Sequence, residues 1–138
     1  MVIRLAHVCI ETDDFEPTEE FYGYLDINRQ FEFRNKQNEL VGVYLSCGED
    51  SYIEIIKVKD PKSEGNMRHF ALEVEDVDAT RDLLLSKGIE VTEKILGIDH
   101  TLMVTCRDPN GNFIEFHQYT EHSMQQHGGV CEIDYTPA

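Results

Sequence analysis

Two histidines and two glutamates recur at matching positions in the two halves of this 138-residue chain. The stretch HVCIETDD begins at His7, and the similar stretch HFALEVED begins at His69, 62 positions later. Ile-Glu pairs end at Glu54 and Glu115, which are 61 positions apart. Two unrelated pairs at nearly the same offset indicate an internal repeat. Imidazole nitrogen and carboxylate oxygen are ligands of divalent metals, so the four side chains are candidates for one metal site.

The setting of each glutamate favours the same interpretation. Alternate residues of a β-strand face the same side of the sheet, so Glu54 shares a face with Tyr52. The residues before and after Glu54 in the sequence are isoleucines, which predict that the opposite face of the strand is buried. Glu115 shares its face with Phe113 and His117. A carboxylate within such a strand is costly unless it meets a cation or strong hydrogen-bond donors. Tyr52, Phe113 and His117 are therefore candidate pocket residues, and His117 is a candidate acid or hydrogen-bond donor.

Taken singly, these residues predict little. A lone histidine on a strand is usually an ordinary hydrogen-bonded residue of the core or surface, and a lone glutamate is a weaker metal candidate still. The joint repeat of all four is what favours a metal site. The four cysteines are widely spaced without a CxxC pair, which indicates neither a zinc ribbon nor a disulfide framework. Cys9 shares the face of His7, and we expect it to pack rather than to act as a nucleophile.

The period of the apolar pattern predicts the elements that position these residues. In the first half, strands are predicted over VIRLAHVCIE, RQFEFRN, ELVGVYLSC and SYIEIIKVK, with a helix over EPTEEFYGYL. In the second half, strands are predicted over RHFALEVE, IEV, TLMVTCR and NFIEFHQY, with a helix over DVDATRDLLLSKG. DPNG is a hairpin-turn signal. The order β-α-β-β-β therefore occurs twice.

This order divides the chain into four parts. Residues 1–59 form the first βαβββ module and residues 68–119 the second. Residues 60–67, which combine Pro, Gly, Ser and charge, are the predicted linker. Residues 120–138 are a polar C-terminal extension in which VCEIDY is a possible further strand.

Charge and hydropathy exclude several classes of function. The chain carries 27 acidic and 12 basic residues, a formal net charge of −15, which argues against nucleic-acid binding and against docking on anionic membranes. No apolar run has the length of a membrane span, and the N-terminal residues lack the apolar region of a signal peptide. We expect a cytoplasmic protein with a small-molecule substrate.

The sequence resembles the vicinal oxygen chelate superfamily, which holds glyoxalase I, extradiol dioxygenases, methylmalonyl-CoA epimerase, and fosfomycin- and bleomycin-resistance proteins. The resemblance runs from residue 1 to about residue 119 and is carried by LAHVCIETDD, FYGYL, YIEII, RHFALEVEDVDATRDLLLSKGIEV and DPNGNFIEFHQY. It implies an α+β fold in which paired βαβββ modules form an open, barrel-like curved sheet around a metal. It also implies a homodimer, with sites inside one chain or shared by two chains.

Carried over residue by residue, the family's four metal positions fall on His7, Glu54, His69 and Glu115. Extradiol dioxygenases use two His and one Glu, with no ligand at the position of Glu54, whereas glyoxalase I has Glu there. The resemblance therefore implies a lyase or isomerase with one divalent ion per site: nickel, cobalt or zinc. It would transfer a proton through a metal-stabilised enediolate of a hydroxy-carbonyl or thiol-adduct substrate. Glu115 is the expected base, and Glu54 is its counterpart across the metal.

Two alternatives remain open. One is an Fe(II)-dependent dioxygenase of the extradiol type, and the other is a non-enzymatic, resistance-type protein that binds a small molecule. The chain also departs from glyoxalase I, whose basic side chains bind the carboxylates of glutathione. None of its six arginines falls in a motif that maps to this role, so the substrate stays open.

Overall fold

The computed structural model describes residues 1, 4–62, 65 and 67–137, which form two compact units. Unit 1 comprises Met1–Asn66 together with Asp108–Gly111, and unit 2 comprises Met67–Arg107 together with Asn112–Ala138. Each unit contains one four-stranded mixed sheet with helices, and neither sheet closes into a barrel within the described residues. The predicted α+β class with two βαβββ modules is confirmed. No helix in the described part of the chain has the length and apolar character needed to cross a membrane.

Unit 1 contains β1 (His7–Thr12), α1 (Phe15–Gly23), β2 (Asn28–Arg34), β3 (Leu40–Ser46) and β4 (Tyr52–Lys57). The sheet order is β1-β4-β3-β2, with β1 parallel to β4 and the other neighbours antiparallel. The core lies on one face of this sheet, where alternate residues are at most 2% exposed: Val43, Leu45, Ile53 and Ile55. The opposite face remains open and carries His7 and Glu54.

Unit 2 repeats the arrangement with β5 (Phe70–Glu73), α2 (Val77–Ser86), β6 (Ile95–Leu96), β7 (Leu102–Arg107) and β8 (Phe113–Gln118), followed by the short α3 (Met124–His127). The sheet order is β5-β8-β7-β6, with β5 parallel to β8. Its core residues on β7 and β8 are fully buried and share one face of the sheet: Val104, Ile114 and Phe116. Leu84 of α2 is fully buried as well. Glu115 therefore faces away from this core.

Two of the predicted strands are wrong, and the first strand of the chain is shorter than predicted, because β1 begins at His7. Residues 2 and 3 of that predicted strand and residues 63, 64 and 66 of the predicted linker lie outside the described residues. The segment IEV at 89–91 forms no strand, because the backbone N–H of Ile89 donates to the Leu84 carbonyl and closes the end of α2 instead. The second strand of this module is the two-residue β6, which begins at Ile95. VCEIDY at 130–135 forms no strand either, and the C-terminal extension has α3 as its regular element among the described residues.

The turn predicted at DPNG lies between β7 and β8 and is anchored in unit 1. The hydroxyl of Tyr22 donates to Asp108 Oδ2 at 2.7 Å, and both residues are buried. The side-chain amide of Asn110 accepts from Thr12 Oγ1 at 2.8 Å and donates to Thr18 Oγ1 at 2.9 Å. These bonds satisfy polar groups at the buried side of α1, where an unpaired group would cost stability.

Candidate functional site

His7 and Glu54 lie side by side on neighbouring parallel strands of unit 1. His7 is the first residue of β1, and Glu54 is the third residue of β4, paired in register with Cys9. The His7 Nε2 atom is 3.2 Å from Glu54 Oε2, and the two side chains are 37% and 18% exposed. We call these two residues the first pair.

A tyrosine holds the other nitrogen of His7. The hydroxyl oxygen of Tyr44, on β3, is 2.7 Å from His7 Nδ1, and the two rings meet edge to face at 5.3 Å. Tyr44 also pairs in register with Glu54 across the sheet. Both ring nitrogens of His7 therefore face a polar partner, which fixes the orientation of the imidazole. The sequence pattern alone does not identify Tyr44 as a site residue. Alternation within ELVGVYLSC gives its face only once the cross-strand register with Glu54 is known.

Tyr44 belongs to a partly exposed group of aromatic side chains, the aromatic cluster, formed with Phe31, Phe33 and Tyr52. Its ring stacks on Phe31 at 4.6 Å and 19°, and it lies 5.5 Å from Tyr52. Phe33 lies over Gly42, where an added Cβ would come within 2.9 Å of the Phe33 ring. A side chain at position 42 would displace Phe33, so the glycine is part of the cluster's geometry. Tyr52 lies on the open face as expected.

Burial and the neighbouring carboxylate act on two groups beside the first pair. Although Cys9 remains exposed overall, partial burial of its thiol, followed by the charge and hydrogen bond of Glu54, raises its pKa. Burial first, and then the charge of Glu54, also raises the pKa of Tyr44. A raised pKa keeps the Cys9 thiol protonated near neutral pH, which disfavours a nucleophilic role for it.

His69 and Glu115 form the equivalent contact in unit 2, and we call them the second pair. His69 lies one residue before β5 rather than within it, and Glu115 is the third residue of β8, paired in register with Ala71. The His69 Nε2 atom is 3.4 Å from Glu115 Oε2, and the two side chains are 35% and 16% exposed. The Phe113 ring meets the His69 ring edge to face at 6.1 Å.

The second pair has a partner of its own in His117. The His117 Nε2 atom is 2.8 Å from Glu115 Oε2, and the His117 side chain is 15% exposed. Parity predicted the common face of these two residues. It did not predict that two imidazoles approach the same carboxylate oxygen.

The distances within the pairs test whether these side chains fit a metal ion. Two ligands that bind one ion at bonds of about 2.0–2.1 Å, with tetrahedral or octahedral angles, lie roughly 2.9–3.4 Å apart. The separations of 3.2 and 3.4 Å in the two pairs agree with that spacing. The shorter contact of 2.8 Å from His117 has hydrogen-bond geometry instead. Within the described residues, no group of three or more His, Cys, Asp or Glu side chains is arranged to hold a metal ion. Each pair thus offers two fitting ligands.

The sequence matches one family model over residues 4–116, described as the Glyoxalase/Bleomycin resistance protein/Dioxygenase superfamily. The chain belongs to this superfamily. The resemblance found in the sequence is thereby confirmed, and the match extends from the first module into β8, the last strand of the second. No curated protein sequence matches the chain.

Solved structures agree with this assignment. The structure of SMU.1112c is 28% identical with a TM-score of 0.71, covering 85% of this chain and 99% of that one. Lactoylglutathione lyase from Agrobacterium tumefaciens is 17% identical with a TM-score of 0.65, covering 83% and 92%. A bleomycin-binding protein complexed with bleomycin is 18% identical with a TM-score of 0.65, covering 86% and 100%. The last two similarities show the shared fold, which in this superfamily serves both an enzyme and a binding protein.

Proposed function

We propose that this superfamily member is a divalent-metal-dependent lyase or isomerase of the glyoxalase type. The observation that carries the proposal is the repeated His–Glu pair, with Nε2–Oε2 distances of 3.2 Å in the first pair and 3.4 Å in the second. Together His7, Glu54, His69 and Glu115 would supply two nitrogen and two oxygen ligands to nickel, cobalt or zinc. The two pairs would come from one chain or from two chains of a homodimer.

The proposed reaction moves a proton between neighbouring carbon atoms of the substrate. When bound, a divalent ion supplies Lewis-acid polarisation of two adjacent substrate oxygens. Glu115 removes the proton α to the carbonyl and returns it to the adjacent carbon, while Glu54 stands as its counterpart in the other module. His117 holds Glu115 through Oε2, at 2.8 Å. Both imidazoles approach this oxygen, which leaves Oε1 as the atom for proton transfer.

Five of the six arginines already have a partner in the structure, which favours a small substrate with little negative charge. Four of them already contact carboxylates: Arg4, Arg29, Arg34 and Arg81. Arg107 lies over the Phe113 ring at 5.2 Å. An anionic peptide such as glutathione needs basic side chains at the site, and this chain is strongly acidic. We therefore propose a hydroxy-carbonyl or the adduct of a small thiol as the substrate.

Metal content and activity test the proposal together. Wild type should retain about one ion per chain after purification and dialysis, and Glu54→Ala should lose most of it. The surface residues Glu121 and His122 provide a matched control, because they form a His–Glu contact of 3.3 Å with exposed side chains. His122→Ala should keep the metal. A wild type that binds no metal after supplementation with nickel, cobalt and zinc would overturn the proposal.

Activity should then appear on adducts of α-oxoaldehydes with small thiols, with nickel, cobalt or zinc and without oxygen. The iron-dependent dioxygenase makes the opposite prediction, because it needs Fe(II) and oxygen and should tolerate Glu54→Gln. Conversion that needs oxygen, with iron retained by Glu54→Gln, would replace the proposed lyase with the dioxygenase.

One observation favours a second candidate function, a non-enzymatic binding protein. The aromatic cluster exposes Phe31 and Phe33 at 45% and 39% beside the first pair, and such rings bind flat ligands by stacking. This candidate predicts that a planar ligand still binds when His7→Ala removes the metal contact. The lyase requires that metal affinity fall strongly and that turnover be lost in that variant, although zinc still binds at high concentration through the remaining ligands.

A further inference from the structure

We infer that Tyr44 is a positioning residue for His7, setting the orientation and the tautomer of its imidazole for a metal at Nε2. The inference rests on the proposed function, since it concerns the same site. It starts from the 2.7 Å contact between the Tyr44 hydroxyl and His7 Nδ1, opposite the 3.2 Å contact between His7 Nε2 and Glu54. The imidazole is held between these two partners.

The chemistry of a neutral imidazole couples the two contacts. The ring carries one N–H, so one nitrogen donates while the other accepts. Without a metal, the Glu54 carboxylate favours the proton on Nε2, and Nδ1 then accepts a hydrogen bond from the Tyr44 hydroxyl. A metal at Nε2 needs the lone pair of that nitrogen, so the proton must move to Nδ1, which then donates to the Tyr44 oxygen. A hydroxyl is suited to this position because it both donates and accepts.

The aromatic cluster holds the hydroxyl in place. The Tyr44 ring stacks on Phe31 at 4.6 Å, meets Phe33 edge to face at 6.2 Å and lies 5.5 Å from Tyr52. Three ring neighbours leave the Tyr44 side chain little freedom, so its hydroxyl is positioned before a metal arrives. A ligand whose ring is already oriented loses less conformational entropy on binding the ion.

In the part of the chain that the structure describes, the second pair has no tyrosine hydroxyl in contact with its histidine. The residue equivalent to Tyr44 is Thr105, which pairs in register with Glu115. The Thr105 hydroxyl donates to Thr92 Oγ1 at 3.2 Å. The described contacts of His69 are those with Glu115 and with the Phe113 ring. A role for Tyr44 is therefore specific to the first pair and is not a general property of the repeat.

A double-mutant cycle on zinc affinity tests the inference. Affinity is measured by competition with a chromophoric chelator, in the wild-type background and in His7→Ala. Tyr44→Phe should weaken zinc binding by about tenfold or more in wild type and by no more than about twofold in His7→Ala, because the hydroxyl acts through His7. Tyr24→Phe removes a hydroxyl that contacts Glu20 on the surface of α1 and serves as the matched control. Equal losses in both backgrounds, or no loss in wild type, would overturn the inference.

Nitrogen NMR of isotope-labelled histidine provides a readout that is independent of activity. In the metal-free protein, Tyr44→Phe should shift the Nδ1 resonance of His7 and leave the resonances of His69 in place. With zinc, His7 of wild type should change to the tautomer protonated at Nδ1. An unchanged His7 Nδ1 resonance in the metal-free variant would rule out the positioning role. A wild type that binds no zinc but shows the metal-free shift would overturn the proposed function and leave Tyr44 as the partner of His7.

Discussion

The two His–Glu pairs share their geometry but differ in what holds them. In the first pair the histidine has the additional partner, because the Tyr44 hydroxyl lies 2.7 Å from His7 Nδ1. In the second pair the carboxylate has the additional partner, because His117 Nε2 lies 2.8 Å from Glu115 Oε2. The repeat thus conserves the contact within each pair and varies the neighbour. Such a difference is expected when the two halves of a structural repeat take different roles in one proposed centre.

The neighbours of the two carboxylates differ in the same way. Glu54 pairs in register with Cys9 and Glu115 with Ala71, so a thiol faces one carboxylate and a methyl group the other. Ile56 occupies the position in β4 that His117 occupies in β8. The first pair therefore has the better-fixed imidazole, which suits a metal ligand. The second has the better-fixed carboxylate, which suits a base.

The largest expected effect comes from the two carboxylates themselves. Glu115→Gln should lower kcat by roughly 10²–10⁴-fold at saturating metal, because it removes the side chain proposed as both ligand and base. Glu54→Gln should lower metal affinity strongly and lower kcat less once the metal is restored. Metal-titrated kinetics of both variants check this order. Equal kcat losses in the two variants at saturating metal would contradict the assignment of Glu115, and not Glu54, as the base.

His117→Ile makes the second pair resemble the first, since isoleucine is the residue at position 56. We expect kcat to fall by about 10–100-fold while the metal content stays near that of wild type, because Glu115 loses the imidazole that orients it. Steady-state kinetics together with elemental analysis provide the measurement. The reciprocal Ile56→His should not raise kcat. A His117→Ile variant with full activity would show that His117 is not needed to orient Glu115.

The turns that precede β4 and β8 offer a comparison of stability. Asn110→Ala should lower the free energy of unfolding by about 1–3 kcal/mol, because it removes the amide that contacts Thr12 and Thr18. Glu49→Ala changes an exposed residue in the corresponding turn between β3 and β4 and should cost less than about 0.5 kcal/mol. Urea unfolding curves of the two variants give both values. Equal losses would mean that the bonds of Asn110 add nothing to stability.

The smallest expected effect belongs to Cys9. Cys9→Ala gives the first pair the small apolar neighbour that the second pair has in Ala71. Because the raised pKa keeps the thiol neutral, we expect metal affinity and kcat to change by no more than about twofold. Metal competition and steady-state kinetics measure both quantities. Loss of turnover with intact metal binding would instead assign Cys9 a chemical role.

The sequence predicted the repeat, the fold class and the faces of the strands, because these depend on local period and on spacing. The face shared by Glu115 and His117 follows from parity along one strand. Tyr44 and His7 are 37 positions apart in the sequence and lie on different strands. Their contact depends on how the strands pair, which the alternation of apolar residues does not encode. The prediction of a strand over IEV was wrong because the backbone N–H of Ile89 donates to the Leu84 carbonyl at the end of α2. This hydrogen bond overrides the β propensity of the segment.

The anchoring of Asn110 and Asp108 was also beyond sequence analysis. DPNG specifies a turn through local backbone preferences, whereas the partners Thr12, Thr18 and Tyr22 lie in another module of the sequence. Long-range polar contacts of this kind depend on tertiary structure, and the spacing of residues does not predict them.

X-ray absorption of the zinc-loaded protein tests most directly whether both pairs bind one ion. We predict two imidazole nitrogens together with oxygen ligands at the zinc of wild type, at bond lengths near 2.0–2.2 Å. His7→Ala and His69→Ala should each show one imidazole fewer. A single imidazole in wild type, or a loss in only one of the two variants, would contradict a shared centre built from both modules.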